Sequence, residues 1–125
     1  MEESLESTTS KTVSGEVIRY SAPELIEHSN THATKSSDPF SFAMLILECF
    51  TEKIPFHEHS RDAAVIHARI SRKQLPLRPD GHNERNRVSD DLWSLMKRCW
   101  SIKPGERPNM EQIRSFFNSM CDAAV

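Results

Sequence analysis

The sequence contains few glycines, few cysteines and no long apolar run. Its three glycines are scattered along 125 residues, so it has no glycine-rich loop of the kind that cradles phosphates. The apolar stretch from Pro39 to Leu47 is far shorter than the roughly 20 residues that a bilayer span requires. The formal net charge of −2 favours neither nucleic acid nor an anionic membrane as a partner. The first 14 residues lack an apolar signal-peptide region, so we expect an intracellular, cytoplasmic protein.

The three cysteines, Cys49, Cys99 and Cys121, are too few and too widely spaced to predict a disulfide framework or a structural zinc site. Cys49 and Cys99 stand among apolar residues, which predicts small buried side chains. His57 and His59 are close enough in sequence to touch one metal ion, but two ligands make a weak site. A solvated loop is therefore favoured over zinc at this position.

Composition divides the chain into a leader, a folded region and a short tail. Residues 1–14 are mostly Ser, Thr and Glu and are expected to be flexible, whereas residues 15–120 are expected to form one domain and 121–125 a tail. Asp38 is placed to cap a helix, with Pro39 at the first helical position. The residues that follow are apolar on nearly every helical face, which predicts a central, buried helix.

Several further helices are predicted from capping residues and apolar spacing. A short helical turn is expected over Ser21–Ile26, a helix capped by Ser60 is expected to run to Ile70, and Ser89 and Asn109 are expected to cap the last two. Those last two helices have apolar residues at helical spacing, namely Leu92, Leu95, Met96 and Cys99, then Met110, Ile113, Phe116, Phe117 and Met120. Apart from the short stretch Val17–Tyr20, nothing shows strand alternation, so the fold class is predicted to be all-α.

Four short motifs occur in order along the folded region: Arg19 to Leu25 (RYSAPEL), Asp38 to Phe42 (DPFSF), Pro55-Phe56, and Cys99-Trp100 followed by Pro104, Arg107 and Pro108. In this order and spacing the chain resembles the C-terminal lobe of a eukaryotic protein-kinase domain, of the tyrosine-kinase-like Ser/Thr type. The resemblance covers about residues 15–120. It implies a turn carrying the APE motif, followed by the F, G, H and I helices of the family, with the N-terminal lobe and catalytic loop absent.

The resemblance also implies roles for individual residues. Ala22, Pro23 and Glu24 match the motif that closes the activation segment, and Glu24 is expected to pair with Arg107. Asp38 is expected to start the central helix and to bond to the catalytic-loop backbone; a plain helix cap is the open alternative for this residue. The remaining implied positions are Trp100 as a structural residue, and Val17, Arg19 and Tyr20 in the part of the activation segment that positions substrate.

By position, the leader resembles part of an activation loop. It contains hydroxyl side chains that could accept phosphate, among them Ser7, Thr8, Thr9, Ser10 and Thr12. A disordered polar leader with no regulatory role is the alternative interpretation.

The groups that a kinase uses for phosphoryl transfer do not occur in the sequence. There is no His-Arg-Asp and no Asp-Phe-Gly tripeptide, although the family uses ATP and Mg²⁺. We therefore expect no catalytic residue, cofactor site or metal site in this chain, and a non-catalytic fragment or pseudokinase-like interaction module. One alternative is the C-terminal part of a longer, active Ser/Thr kinase with a misplaced start. Another is an unrelated helical adaptor.

The expected partners are proteins, with neither nucleic acid nor membrane. In the family the central helix is surrounded by elements that this sequence does not contain, so we expect apolar surface to be exposed around Phe40, Phe42, Met44 and Ile46. Exposed apolar patches mark binding or aggregation sites. The resulting prediction is low stability and self-association through the central helix.

Overall fold

The computed structural model describes residues 15–27, 34–81 and 84–124, and within these ranges every regular element is helical. The α-helices are α1 (Gly15–Tyr20), α2 (Pro23–Glu27), α3 (Asp38–Thr51), α4 (Asp62–Ile66), α5 (Asp90–Cys99) and α6 (Met110–Ala124). Short 3₁₀ turns lie at Glu84–Asn86 and Pro104–Glu106. The prediction of an all-α fold is confirmed. The stretch Val17–Tyr20, whose alternation was too short to predict a strand, belongs to α1.

Helix α3 begins differently from the expectation. Ser37, and not Asp38, precedes the helix, and Ser37 makes no side-chain capping bond. Its hydroxyl instead donates to the Thr34 carbonyl at 2.9 Å and accepts from the Thr34 backbone N–H at 2.7 Å. Asp38 is an exposed residue of the first turn, where its negative charge suits the positive end of the helix dipole. The helix ends at Thr51, and the next residue, Glu52, has a left-handed φ of 58° and donates its N–H to the Glu48 carbonyl.

Helix α3 is central but is covered on one side only. Its buried residues recur at helical spacing and are Pro39, Phe40, Ala43, Met44 and Leu47. On the other side Leu45 is 52% exposed, while Phe42 and Ile46 are half-buried. The expectation of exposed apolar surface is therefore wrong for Phe40 and Met44. Exposure falls on the opposite face because side chains two residues apart point to different sides of a helix.

Helices α5 and α6 begin as predicted. The Ser89 hydroxyl accepts from the Leu92 backbone N–H at 3.1 Å. Asn109 and Gln112 form a reciprocal capping box, with N–H to side-chain oxygen distances of 2.8 and 2.9 Å. These caps satisfy backbone donors that the first helical turn leaves without partners.

The two cysteines predicted to be buried differ from each other. Cys99 is buried in the core beside Trp100, as expected. Cys49 is exposed, because it lies on the same uncovered face of α3 as Leu45, one turn further along. The apolar sequence around Cys49 did not reveal which face it occupies.

Helix α4 is shorter than predicted. It begins at Asp62 after Arg61, so Ser60 is not its cap, and it passes into a π-helical turn over His67–Ser71. This turn buries the side chains of Ala68 and Arg69. None of the described helices is long and apolar enough to cross a membrane.

Candidate functional site

The best-defined polar site is an ion pair between Glu24 on α2 and Arg107 just before α6. Two guanidinium nitrogens of Arg107 donate to the two carboxylate oxygens of Glu24, at 2.8 and 2.9 Å. The guanidinium also donates to the backbone carbonyls of Ser36 at 2.9 Å and Ser101 at 2.8 Å. Arg107 thus joins α2, the turn before α3 and the segment after α5. Its side chain has no solvent exposure, and that of Glu24 is 23% exposed.

The charge of Glu24 is stabilised by its surroundings. Burial by itself would raise the pKa of the carboxyl, but this is outweighed by the hydrogen bond from Arg107 and by the charges of Arg107 and Arg69. The net result is a pKa below the ordinary value of 4.5. The Glu24 carboxyl is therefore ionised at neutral pH, and its contact with Arg107 combines a bidentate hydrogen bond with opposite charges.

A second buried arginine, Arg69 in the π-helical turn, lies close to this pair. One of its guanidinium nitrogens donates to the Ile18 carbonyl of α1 at 2.6 Å. The guanidiniums of Arg69 and Arg107 lie 5.1 and 5.0 Å from the centroid of the Phe40 ring, within range of cation–π attraction. Burial lowers the pKa of Arg69 to about 10; Glu24 opposes this shift and Arg107 adds to it.

The sequence analysis did not identify Arg69 as a site residue. The available signal was an arginine within the apolar stretch of α4 and its π-helical turn, where a charge with no partner would be costly. The structure supplies partners from α1, α2 and α3, which are distant in sequence. Arg69 therefore extends the site from the Glu24–Arg107 pair towards α1.

Arg19 and Tyr20 at the end of α1 are both turned towards the rest of the domain. Arg19 donates to three backbone carbonyls, those of Pro55 at 3.0 Å, Phe56 at 2.9 Å and His59 at 2.8 Å. The Tyr20 hydroxyl donates to the Glu48 carboxylate on α3. These bonds fasten α1 to α3 and to the turn that follows it. The side chain of Val17, the third residue expected in substrate positioning, lies outside the described part of the structure.

The other structural positions expected from the resemblance lie around this site. Ala22, Pro23 and Trp100 are buried, and the Trp100 ring packs edge to face on Trp93 at 5.4 Å. Asp38, in contrast, is exposed at the start of α3 and lies at the surface of the described region.

Two groups of predicted or considered residues remain apart from the site. The candidate phosphate acceptors Ser7, Thr8, Thr9, Ser10 and Thr12 lie outside the described residues. His57 and His59 lie in the turn after α3, and no group of three or more His, Cys, Asp or Glu able to hold a metal ion occurs among residues 15–27, 34–81 and 84–124. The polar site formed by the described residues is therefore a structural one, made of Glu24, Arg69 and Arg107, which we call the arginine cluster.

Comparison with known proteins identifies the class of protein that this arrangement belongs to. A family model described as protein tyrosine and serine/threonine kinase matches residues 1–117. The chain belongs to this family. The alternative of an unrelated helical adaptor is therefore wrong.

Individual relatives include both kinases and receptors. The chain is 32% identical over 100 residues to the Resact receptor of Arbacia punctulata, a match covering 77% of this chain and 10% of the receptor. It is 32% identical over 115 residues to the receptor-type guanylate cyclase gcy-28 of Caenorhabditis elegans, covering 81% of this chain and 9% of that protein. It is 30% identical over 115 residues to human receptor-interacting serine/threonine-protein kinase 1, covering 89% of this chain and 16% of the kinase. The chain thus spans a small part of the length of each of these relatives.

Proposed function

We propose that the chain is the helical C-terminal lobe of a serine/threonine protein-kinase domain of the tyrosine-kinase-like type. The Glu24–Arg107 pair is the observation that carries this proposal, because it joins the residues that match the end of an activation segment to the residues that lead into the last helix. Arg19, Tyr20 and Arg69 support it, since they fasten α1 to the same helical base. On this proposal the chain's own residues hold the activation segment in place.

We further propose that these 125 residues do not transfer phosphate by themselves. ATP and Mg²⁺, which the family uses, do not fit the residues present: the described region has no cluster of metal-ligating side chains, and the sequence has no His-Arg-Asp or Asp-Phe-Gly. Phosphoryl transfer depends on positioning ATP and neutralising its charge, and the groups that do this in kinases are missing. The proposed role is therefore structural and interactive, either as a fragment or as a pseudokinase-like module.

The test is to add ATP and Mg²⁺ to the purified 125-residue chain. We expect no change in its melting temperature and no phosphate transfer to a generic basic protein substrate, with an active kinase as the positive control. Phosphate transfer above the background without the chain would overturn the non-catalytic proposal. A melting temperature that rises with ATP concentration would overturn its premise that ATP does not fit the residues present, because a ligand that binds only the folded state must stabilise it.

A second candidate is the same lobe within a longer, active Ser/Thr kinase. It is favoured by the small share of each relative's length that the chain spans, 16% in the case of receptor-interacting serine/threonine-protein kinase 1. Reading the coding DNA upstream of Met1 tests it. In-frame His-Arg-Asp and Asp-Phe-Gly codons would support an active kinase, whereas an in-frame stop immediately upstream would rule it out.

The proposal includes an intracellular location, in the cytoplasm, and interaction with protein partners or substrates. Its candidate phosphate acceptors are Ser7, Thr8, Thr9, Ser10 and Thr12, which precede α1 in the sequence, and a phosphate on any of them would add negative charge to this segment. Phosphopeptide mass spectrometry of the native protein tests this part. A leader without phosphate under all growth conditions would remove it.

A further inference from the structure

The turn of residues 55–59, which follows α3, contains a strained residue. Phe56 has a φ of 58°, in the left-handed region, where a bulky L residue brings its Cβ close to the following carbonyl oxygen. Glu52 and Lys73 also have positive φ, but each lies at the C-terminal end of a helix or helical turn, where the left-handed conformation is common. Phe56 does not end a helix, so its conformation requires another cause.

Arg19 at the end of α1 supplies that cause. One terminal nitrogen of its guanidinium donates both to the Pro55 carbonyl at 3.0 Å and to the Phe56 carbonyl at 2.9 Å. These carbonyls lie on either side of the Phe56 Cα, so the two bonds to one nitrogen restrict rotation of the Phe56 backbone. The other terminal nitrogen donates to the His59 carbonyl at 2.8 Å and holds the far end of the turn. Arg19 is buried, which strengthens these bonds relative to bonds made in water.

The side chain of Phe56 is joined to α1 by a second route. Its ring is buried, with the Arg69 guanidinium 5.4 Å from its centroid and within range of cation–π attraction. Arg69 in turn donates at 2.6 Å to the carbonyl of Ile18, the neighbour of Arg19 in α1. A change of φ at Phe56 would redirect its Cα–Cβ bond and take the ring away from Arg69. The backbone and the ring of Phe56 therefore both depend on the position of α1.

The 55–59 turn also buries a polar atom at a cost. The Nε2 atom of His59 is buried and has no hydrogen-bond partner within the described part of the chain. A buried polar atom left unpaired destabilises the folded state, and water would pair with it if the turn opened. Contacts with α1 thus hold the turn in a conformation that is locally unfavourable.

We infer that the 55–59 turn is a two-state element whose state is set by α1. While α1 is in place, Arg19 and Arg69 keep Phe56 left-handed and its ring buried. When α1 moves away, Phe56 relaxes to a negative φ and its ring leaves Arg69. The exposed residues beside it, His57 and Glu58, then change position, so an event at α1 alters the surface of the turn. This inference goes beyond the proposed function and does not depend on it, since it rests on these contacts alone.

The first test compares asparagine with alanine at position 56 of the 125-residue chain. Both variants lack the ring, but asparagine adopts the left-handed conformation more readily. We therefore expect the unfolding equilibrium constant of Phe56→Asn, from urea denaturation, to be roughly fivefold lower than that of Phe56→Ala. In chains that also carry Arg19→Met the turn is relaxed, and the difference is expected to fall below about twofold. An equal difference in the two backgrounds would overturn the inference, because the strain would then not depend on Arg19.

Lys73 provides a matched control. Its φ is also left-handed, at 52°, and it is not among the residues that Arg19 contacts in the described structure. Lys73→Asn is expected to unfold with a roughly fivefold lower equilibrium constant than Lys73→Ala, with or without Arg19→Met. A control difference that disappears together with the difference at position 56 would also overturn the inference, because Arg19→Met would then act on the whole fold and not on this turn.

Hydrogen exchange is a second measurement, and it leaves the Phe56 ring in place. The reporters are the N–H groups of His59 and Gln74, which donate at 2.9 and 2.8 Å to backbone carbonyls of the 55–59 turn and of the π-helical turn. In Arg19→Met, or in Arg19→Lys if the first variant does not fold, both are expected to exchange at least about tenfold faster relative to the Leu92 N–H of α5. Faster exchange at His59 alone would confine the effect to the bonds of Arg19 and overturn the inference, as would unchanged relative rates at both reporters.

Discussion

Two phenylalanines that are two residues apart on α3 have very different surroundings. Phe40 is 2% exposed, with the guanidiniums of Arg69 and Arg107 near its ring. Phe42 is half-buried on the other side of α3, where its ring packs edge to face with the ring of Phe117. One face of the helix is thus covered by other parts of the described chain, and we call it the closed face. The opposite face is partly exposed, and we call it the open face.

The two faces differ in their chemistry as well as in their burial. On the Phe40 side, Arg19, Arg69 and Arg107 donate hydrogen bonds to backbone carbonyls or to Glu24. Satisfied, buried groups of this kind hold several segments in one arrangement, and losing any partner leaves another unpaired. On the Phe42 side the contacts are apolar and incomplete. We therefore expect the first face to determine the stability of the folded chain and the second to determine its association.

The largest effect is expected from removing Arg107, which lies on the buried, Phe40 side of α3. Arg107→Ala leaves Glu24 and two backbone carbonyls without their donor, and breaking such a buried pair costs about 3–5 kcal/mol. The expected result is a fall of this size in the free energy of unfolding, measured by urea denaturation.

A milder variant and a matched control make this test decisive. Glu24→Gln keeps the shape of the side chain and removes its charge, so it serves if Arg107→Ala does not fold. Lys103→Ala removes one partner of an exposed ion pair and is expected to cost less than about 1 kcal/mol. Equal losses for Arg107→Ala and Lys103→Ala would show that the buried pair has no special importance.

The next effect compares the two phenylalanines directly. Phe40→Ala removes a buried ring and two cation–π contacts, and truncations of this type cost about 3–5 kcal/mol. Phe42→Ala removes a half-buried ring, for which about 1 kcal/mol is expected from the smaller area withdrawn from water. Urea denaturation of both variants, at a concentration low enough to keep the chain monomeric, measures the difference. Similar losses at the two positions would contradict the division of α3 into a closed and an open face.

The features of the fold that depend on local signals could be predicted from the sequence. Ser89 and the Asn109–Gln112 pair are capping residues whose bonds form within one helical turn, and both form as expected. The all-α fold follows from the spacing of apolar residues. The pairing of Glu24 with Arg107 was expected only through the resemblance to protein kinases. The two residues are 83 positions apart, and no local sequence signal indicates that they pair.

The remaining features depend on contacts that are distant in sequence. Because α3 is apolar on nearly every face, its sequence does not indicate which face packs against the rest of the chain. Cys49 was therefore expected in the core and Phe40 at the surface, and both expectations were wrong. The π-helical turn and the burial of Arg69 arise because carbonyl and aromatic partners come from α1 and α3. Asp38 was expected to cap α3, but Ser37, whose hydroxyl bonds locally to Thr34, precedes the helix, which therefore starts one residue earlier than expected.

A smaller effect is expected on the pH dependence of stability. Because the pKa of Glu24 is lower in the folded chain than its ordinary value of 4.5, the unfolded chain binds more protons as the pH falls below 4.5. The stability that the ionised carboxylate provides is therefore complete above about pH 4.5 and is lost as the pH falls through the lower, folded pKa. In urea titrations at a series of pH values, the wild-type chain is expected to lose stability more steeply below pH 4.5 than Glu24→Gln. Parallel curves would mean that Glu24 does not contribute.

The last prediction concerns the reactivity of the cysteines and not stability. The rate at which each thiol reacts is the most direct measure of whether that thiol is exposed. Burial raises the pKa of the Cys99 thiol from 9.0 to about 11, while the charges of Arg98 and Arg107 act in the opposite direction. Cys49 and Cys121 are exposed. Since the thiolate is the reactive form, this shift alone slows Cys99 about a hundredfold at neutral pH, and its lack of access to reagent slows it further.

A disulfide reagent such as DTNB is therefore expected to label two thiols rapidly and the third only after urea is added. Cys99→Ser should remove the slow phase and leave both fast ones, while Cys49→Ser should remove one fast phase, which assigns each rate to a residue. If Cys49 instead reacted as slowly as Cys99, the outer face of α3 would be covered in solution. The contrast between Phe40 and Phe42 would then describe only the isolated fold and not the protein as it exists in solution.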